Sequence, residues 1–255
     1  MEGPRAGGMF CALNHTMPKN PRLSMPLERM TTEQMLACVD PFLASRPEEI
    51  GVLARATIRE CKTARTVLLR EGERAEGLSI VLRGRVNLVR GGDRGGEIIL
   101  ICLGPGEIFG EGCLLEDMGA STAAVVAVAS DVAKVPSAAL GAHIAQNPST
   151  LIRLMRLMSE RLSRVESVAS GLALCDVEER LRRTLIQLAR GHGRGGTHAE
   201  GWILAPAPTQ SELARMVGSC RETVSRTLSA MTRDGLLRSS GRRMLLTETL
   251  VNGAQ

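Results

Sequence analysis

The stretch that most constrains this 255-residue chain runs from Pro208 to Thr247. Thr209-Gln210-Ser211-Glu212 has the form T-x-x-E, in which a hydroxyl and a carboxylate reciprocally satisfy the free amides of a helix start. Ser219-Cys220-Arg221-Glu222 repeats the form about one helix further on. Between them lies Val217-Gly218, and glycine takes the positive φ of a sharp turn without a Cβ clash. Two short helices so joined are the signature of a helix-turn-helix. The second predicted helix has two faces. Val224, Leu228 and Met231 recur at i, i+4 and i+7 and form an apolar stripe for a core. Arg221, Glu222, Ser225 and Arg226 lie on a separate face near its start. That part of a recognition helix reaches base edges in the major groove. Arginine there pairs with guanine O6 and N7, and glutamate accepts from cytosine N4. The plainer alternative is a solvated face carrying a Glu222–Arg226 ion pair at i, i+4. The basic hairpin expected to follow, with Arg238, Arg242 and Arg243, favours DNA. Thr209, Ser219, Ser225 and those three arginines are the expected phosphate contacts.

The charge distribution agrees with this placement. Net charge is +5, and residues 176–255 hold twelve Lys and Arg against eight Asp and Glu. Phosphate contact requires its cations where the helix-turn-helix sits. Aromatics make up only 2% of the chain, which excludes stacking platforms for single strands. The seven cysteines are scattered with no C-x-x-C pair, so neither a zinc site nor a disulfide framework is expected. No export signal and no membrane-length apolar run is visible, which points to a cytoplasmic chain with no membrane partner. No acid/base set accompanies Cys113 or Cys220, so no catalytic residue is assigned and the chain is not read as an enzyme.

Upstream, four segments are expected. Residues 1–30 lack periodicity and read as a flexible extension. Residues 31–147 read as a sensor domain. It opens with short helices to about residue 60, broken at Pro41 and Pro47 and started by Thr31-x-x-Gln34. Strands follow at 66–70, 78–83, 85–90, 97–103, 123–129 and 132–135, separated by glycines. That spacing indicates an antiparallel barrel or sandwich. Residues 148–175 read as one long helix. On it Leu151, Met155, Met158, Leu162, Val165, Ala169 and Leu172 are spaced alternately by four and three, the a/d seam of a parallel homodimer. The flanking Arg153, Arg156, Glu160, Arg161, Arg164 and Glu166 are expected to keep its other faces wet. Residues 176–255 complete the chain as a winged helix-turn-helix. Asp176 caps its first helix at Val177–Arg190, and a loop containing His192 and His198 follows.

This order resembles the cyclic-AMP receptor protein and FNR family of bacterial transcription regulators. The resemblance covers about residues 35–250. It rests on LLREGERAEGLSIVLRGRV, GEIFGEGCLLED, PSTLIRLMRLMSERL and, most specifically, SELARMVGSCRETVSRTL. It implies an α+β chain with an antiparallel β-roll, a long dimerisation helix and a winged helix-turn-helix. It implies that Arg221, Glu222 and Arg226 read an inverted GTG…CAC-type site in double-stranded DNA, with RNA polymerase as a further partner. It also implies a ligand pocket around Gly110, Glu111, Ser121 and Thr122. Here the sequence departs from the family. Ser121 stands where nucleotide-binding members carry the phosphate-holding Arg, and a buried phosphate without a cation loses its main charge partner. Val165 and Glu166 stand where cyclic-AMP-responsive members reach the purine with Thr and Ser. The FNR iron–sulfur cysteine cluster is absent. The expectation is a regulator active without cyclic AMP and without cofactor or metal; nucleotide gating through Thr122 and backbone amides is the alternative.

Overall fold

The structure is a computed structural model and describes residues 25–92, 95–192 and 201–252. Most of the expected extension, the loop with His198 and the side chain of His192 lie outside the described residues. Helix α1 spans Thr32–Cys38 and starts as expected: Thr31 Oγ1 accepts from the Gln34 amide at 3.2 Å, and Gln34 Oε1 accepts from the Thr31 amide at 3.0 Å. Pro41 sits in a 3-10 turn, and Pro47 opens α2 (Pro47–Ala56), where its missing amide costs nothing. Six strands follow: β1 (Ile58–Lys62), β2 (Val67–Leu69), β3 (Gly77–Gly91), β4 (Glu97–Leu103), β5 (Ile108–Phe109) and β6 (Ala123–Pro136). They form one antiparallel sheet ordered β1-β6-β3-β4, with β2 on β6 and β5 on β3. Three helices come next: α3 (Ser137–Gln146), α4 (Pro148–Leu174) and α5 (Val177–His192). The chain closes with β7 (Trp202–Leu204), α6 (Gln210–Val217), α7 (Arg221–Arg233), β8 (Leu237–Ser240), β9 (Arg243–Leu246) and α8 (Glu248–Asn252).

The roll differs from the sequence reading in three places. Ile58–Lys62 is strand rather than helix and pairs with β6 from Ile58↔Lys134 to Lys62↔Ser130. Two-residue β5 was not anticipated. And the segments 78–83 and 85–90 are one strand, as are 123–129 and 132–135. Gly84 bends β3 without ending it. Its φ is 89°, a Cβ there would lie 2.2 Å from Ser130 Oγ, and that oxygen accepts the Arg85 amide at 3.0 Å. The register slips at this bend. A one-residue slip turns each side chain to the opposite face, and the core records it. Before the bend Leu78, Ile80 and Leu82 pack on the α1–α3 helices with Met35, Phe42, Leu53 and Leu140, while Val81 points into the roll. After it the even-numbered Val86 and Leu88 point inward, beside Ile101, Leu103, Phe109 and Val126.

Helix α4 lies along this roll by one apolar edge, Leu154 and Leu157, and by a row of ion pairs. Arg153 and Arg156 reach the Asp40 carboxylate at 2.8 and 2.9 Å, Arg161 reaches Glu111 at 2.6 Å, and Arg164 reaches Glu107 at 2.8 Å. The expectation that these arginines only wet the helix is therefore corrected: they dock it. A second core holds the C-terminal unit, with Leu181, Leu185, Leu213, Val217, Val224, Met231, Leu237 and Leu246 in one cluster. Asp176 caps α5 as expected, accepting the Glu179 amide at 2.8 Å, and α5 runs on to His192.

Candidate nucleic-acid interface

Helix α6 begins with the anticipated box. Glu212 Oε2 accepts the Thr209 amide at 2.8 Å, and Thr209 Oγ1 accepts the Glu212 amide at 3.2 Å. It ends on Gly218, whose φ of 60° suits the left-handed turn, and the Ser219 amide folds back to the Ala214 carbonyl at 3.0 Å. That return bond takes Ser219 into the turn. The second expected capping box is therefore not formed. The N-cap of α7 is Cys220, which places Thr223 rather than Glu222 three residues on, and Cys220 Sγ lies 3.1 Å from Thr223 Oγ1.

Two turns of α7 then separate core from solvent. Val224, Leu228 and Met231 are buried, as their spacing predicts, while Arg221, Glu222 and Arg226 are exposed and Ser225 is half-buried. Arg226 leans on the Thr223 hydroxyl at 3.4 Å, and among the described residues no ion pair ties it to Glu222. The plainer alternative of a self-paired Glu/Arg face thus loses its geometry. The backbone amide of Glu222, with the Cys220 thiol second, holds the Glu222 carboxyl below the usual carboxylate range. It is ionised at neutral pH and can only accept hydrogen bonds, as pairing with cytosine N4 requires.

Beside α7 stands a three-stranded wing ordered β7-β9-β8. The hairpin of β8 and β9 was anticipated; its third strand was not. Met244 and Leu246 turn into the core while Arg238, Arg242 and Arg243 stay exposed, so the wing presents three guanidinium groups to solvent. Thr209 stands at the exposed start of α6, but its amide and its hydroxyl are both engaged with Glu212.

The second expected site lies in the roll. Gly110 has φ 82°, and a Cβ there would meet the Gly77 carbonyl oxygen at 2.7 Å, so the position requires glycine. Glu111 follows, with Oε1 paired to Arg161 and Oε2 buried without a hydrogen-bond partner. Arg161 also donates to the Ile108 carbonyl oxygen. Sequence reading missed this role for Arg161, because its partner lies 50 residues away and no local spacing announces it. Ser121 is exposed and Thr122 half-buried. For a cyclic nucleotide the fit is one-sided. The orphaned Glu111 oxygen suits a ribose hydroxyl, but Ser121 supplies no charge for a phosphate. Where the resemblance places the purine, Val165 packs against the roll interior and Glu166 is exposed. The residues present do not make a complete cyclic-nucleotide site.

Burial pushes the Cys113 thiol up to about 11, which leaves almost no thiolate at neutral pH. Among the described residues no cluster of His, Cys, Asp and Glu could hold a metal ion, and no helix is long and apolar enough to cross a membrane.

Comparison with known proteins agrees with this architecture. Residues 61–147 match the cyclic nucleotide-binding domain, and residues 179–249 match the Crp-like helix-turn-helix domain. The cAMP-activated global transcriptional regulator CRP of Escherichia coli O157:H7 is 31% identical over 187 residues, covering 73% of this chain and 88% of that protein. A CRP-like cAMP-activated global transcriptional regulator of Mycobacterium tuberculosis H37Rv is 28% identical over 218 residues, covering 85% and 96%. Among solved structures, the c-di-GMP responsive global regulator CLP of Xanthomonas campestris superposes with a TM-score of 0.66 at 28% identity, covering 80% of this chain and 100% of that one. The chain belongs to the CRP/FNR family and is a DNA-binding transcription regulator.

Proposed function

We propose that the protein is a homodimer that reads an inverted GTG…CAC-type site in duplex DNA and does so without cyclic AMP. The observation that carries this reading is the open face of α7. Arg221, Glu222 and Arg226 project from a helix whose opposite stripe is buried, and none of the described residues covers them. Arg221 and Arg226 would read guanines and Glu222 a cytosine, with Thr209, Ser219, Ser225, Arg238, Arg242 and Arg243 holding phosphates.

Dimerisation is supported by α4. Leu151, Met155, Leu162 and Leu172 are exposed large apolar side chains, Met155 at 65% and Leu162 at 59%, and Ala169 is exposed beside them. Such a row in water is a mating surface. Met158 and Val165 are half-buried, and Val165 is also used by the roll. Ile152, 68% exposed and outside the expected seam, widens the face. A parallel pairing along this row would set the two reading helices about 34 Å apart, one turn of DNA. RNA polymerase is a further partner under this reading.

Independence from cyclic AMP is supported by Ser121 in the cation position. The match to the cyclic nucleotide-binding domain and the orphaned Glu111 oxygen favour a second reading, gating by a nucleotide held through Thr122 and backbone amides. Selection of bound duplexes from random sequence, with and without cyclic AMP and cyclic GMP, tests both. Enrichment of the inverted motif in the absence of nucleotide is expected. Enrichment only with nucleotide would transfer the assignment to the gated reading, and no enrichment under any condition would refute both.

A further inference from the structure

Arg85 follows the Gly84 bend, and its side chain is only 7% exposed although its partners are not in the roll. Its Nη2 donates to Glu212 Oε1 at 2.8 Å and its Nη1 to the Pro206 carbonyl oxygen at 3.4 Å, 127 and 121 residues further along. Its Nε is buried with no protein partner. Glu212 is 13% exposed and already gives Oε2 to the Thr209 amide, so one carboxylate both starts α6 and ties it to the roll. Burial pushes the Glu212 carboxyl up, but the Thr209 amide and the Arg85 charge outweigh it and hold it below the usual range. Glu212 is therefore ionised at neutral pH. Around it, Val89 and Ile99 of the roll share one apolar cluster with Leu213, Met216 and Val217. A second, more exposed pair joins Arg215 to Glu97 at 2.8 Å.

A guanidinium this dry is stranded if its carboxylate moves away. The arrangement that pairs it with Glu212 has α6 in one place, and α7 is packed on α6 through the shared core. In that arrangement Arg221, Glu222, Arg226 and the three wing arginines remain in solvent. The contact therefore orients the reading surface rather than hiding it.

We propose that Arg85 is a positioning residue for DNA recognition. Acting through Glu212, it fixes the helix-turn-helix at one orientation to the roll and to α4, so that the dimer presents its two reading helices at one separation with no ligand bound. The proposal rests on the homodimer and inverted-site reading above.

The test uses the full-length protein and the variants Arg85→Met, Glu212→Gln, their double, and Arg85→Lys. Gln at 212 keeps the T-x-x-Q form of the cap, so the loss is confined to the charge. The chain has one Trp and no Tyr, which makes Trp202, on β7 of the wing, a clean emitter for time-resolved anisotropy. Free wild type should tumble as one body. Each single variant should add a fast component, the double should add no more than either, and Arg85→Lys should recover part of the loss. In competition binding, wild type should prefer the selected half-site separation by at least tenfold over separations one base pair longer or shorter. The variants should fall to threefold or less while keeping the base preference within each half-site. Unchanged anisotropy in both single variants overturns the proposal. Weaker binding with the separation preference intact also overturns it, because the pair would then only stabilise the fold. Wild type with no separation preference overturns the inverted-site reading, and the role of Arg85 with it, whatever the anisotropy shows.

Discussion

Arg221 and Arg242 are both exposed arginines of the same unit, yet the proposed reading gives them different work. Arg221 opens α7, where a paired hydrogen bond to one guanine is possible. Replacing it with Ala should cost about 1–3 kcal/mol on the preferred site and relax selectivity at a single base pair. Arg242 sits at the tip of the wing beside Gly241, suited to a phosphate. Its loss should weaken all sequences alike and lower the slope of log K against log salt by about 1. Quantitative binding to the selected site and to each of its single-base variants, over a salt series, separates the two. A uniform loss for Arg221→Ala would remove it from base reading. These positions were legible in sequence because their information is local: a helix start, an apolar stripe and the residues left over. The cap of α7 was misread for an equally local reason. Ser219 fits either the end of one helix or the start of the next, and only the Ser219–Ala214 bond of the Gly218 turn decides between them. Arg85 and Arg161 were not legible at all. Each is one arginine among many until the fold brings Glu212 or Glu111 to it.

At the scale of elements, α4 carries two faces with separate tests. Its exposed face should lose self-association when charged. Met155→Glu with Leu162→Glu should convert a dimer to a monomer by sedimentation and reduce operator affinity at least 100-fold. A charge at the centre of an apolar seam is unpaired and desolvated, and a monomer reads only one half-site. The face toward the roll begins beside His143. That ring is edge-on to Phe42 at 5.6 Å, and its Nε2 lies 3.0 Å from Ser45 Oγ and 3.2 Å from Thr150 Oγ1, so it joins α3 to the first turn of α4. Burial, opposed by the Glu49 charge, holds the imidazole below its ordinary value. A depressed value means that the unfolded chain takes up the proton first. The contribution is therefore complete above an ordinary histidine pKa of about 6.5 and is lost as pH falls through the folded value. Denaturant midpoints compared at pH 7.5 and pH 5.5 should drop for wild type and drop less for His143→Gln. Strand boundaries were the least legible elements. Gly84 reads as an end because glycine usually punctuates, and only the pairing with β6 beyond it, from Arg85↔Val128 to Val89↔Ala123, shows that the ladder continues.

For the molecule as a whole, the order of roll, long helix and winged unit was visible in the alternation of short glycine-bounded runs, a heptad row and two helix starts. How those parts sit against one another was not. Val89 and Ile99 belong by sequence to the roll and by packing to the C-terminal core. Likewise the docking of α4 runs through Asp40, Glu107 and Glu111, carboxylates 50 to 116 residues away from their arginines. Regular helix α4 is continuous from Pro148 to Leu174. It therefore acts as a gauge block between sensor and reader. Adding one residue near its far end would advance everything beyond by about 1.5 Å and swing it about 100° around the axis. The two α7 helices would then face the wrong side of the double helix, although every residue proposed to read a base had been left in place.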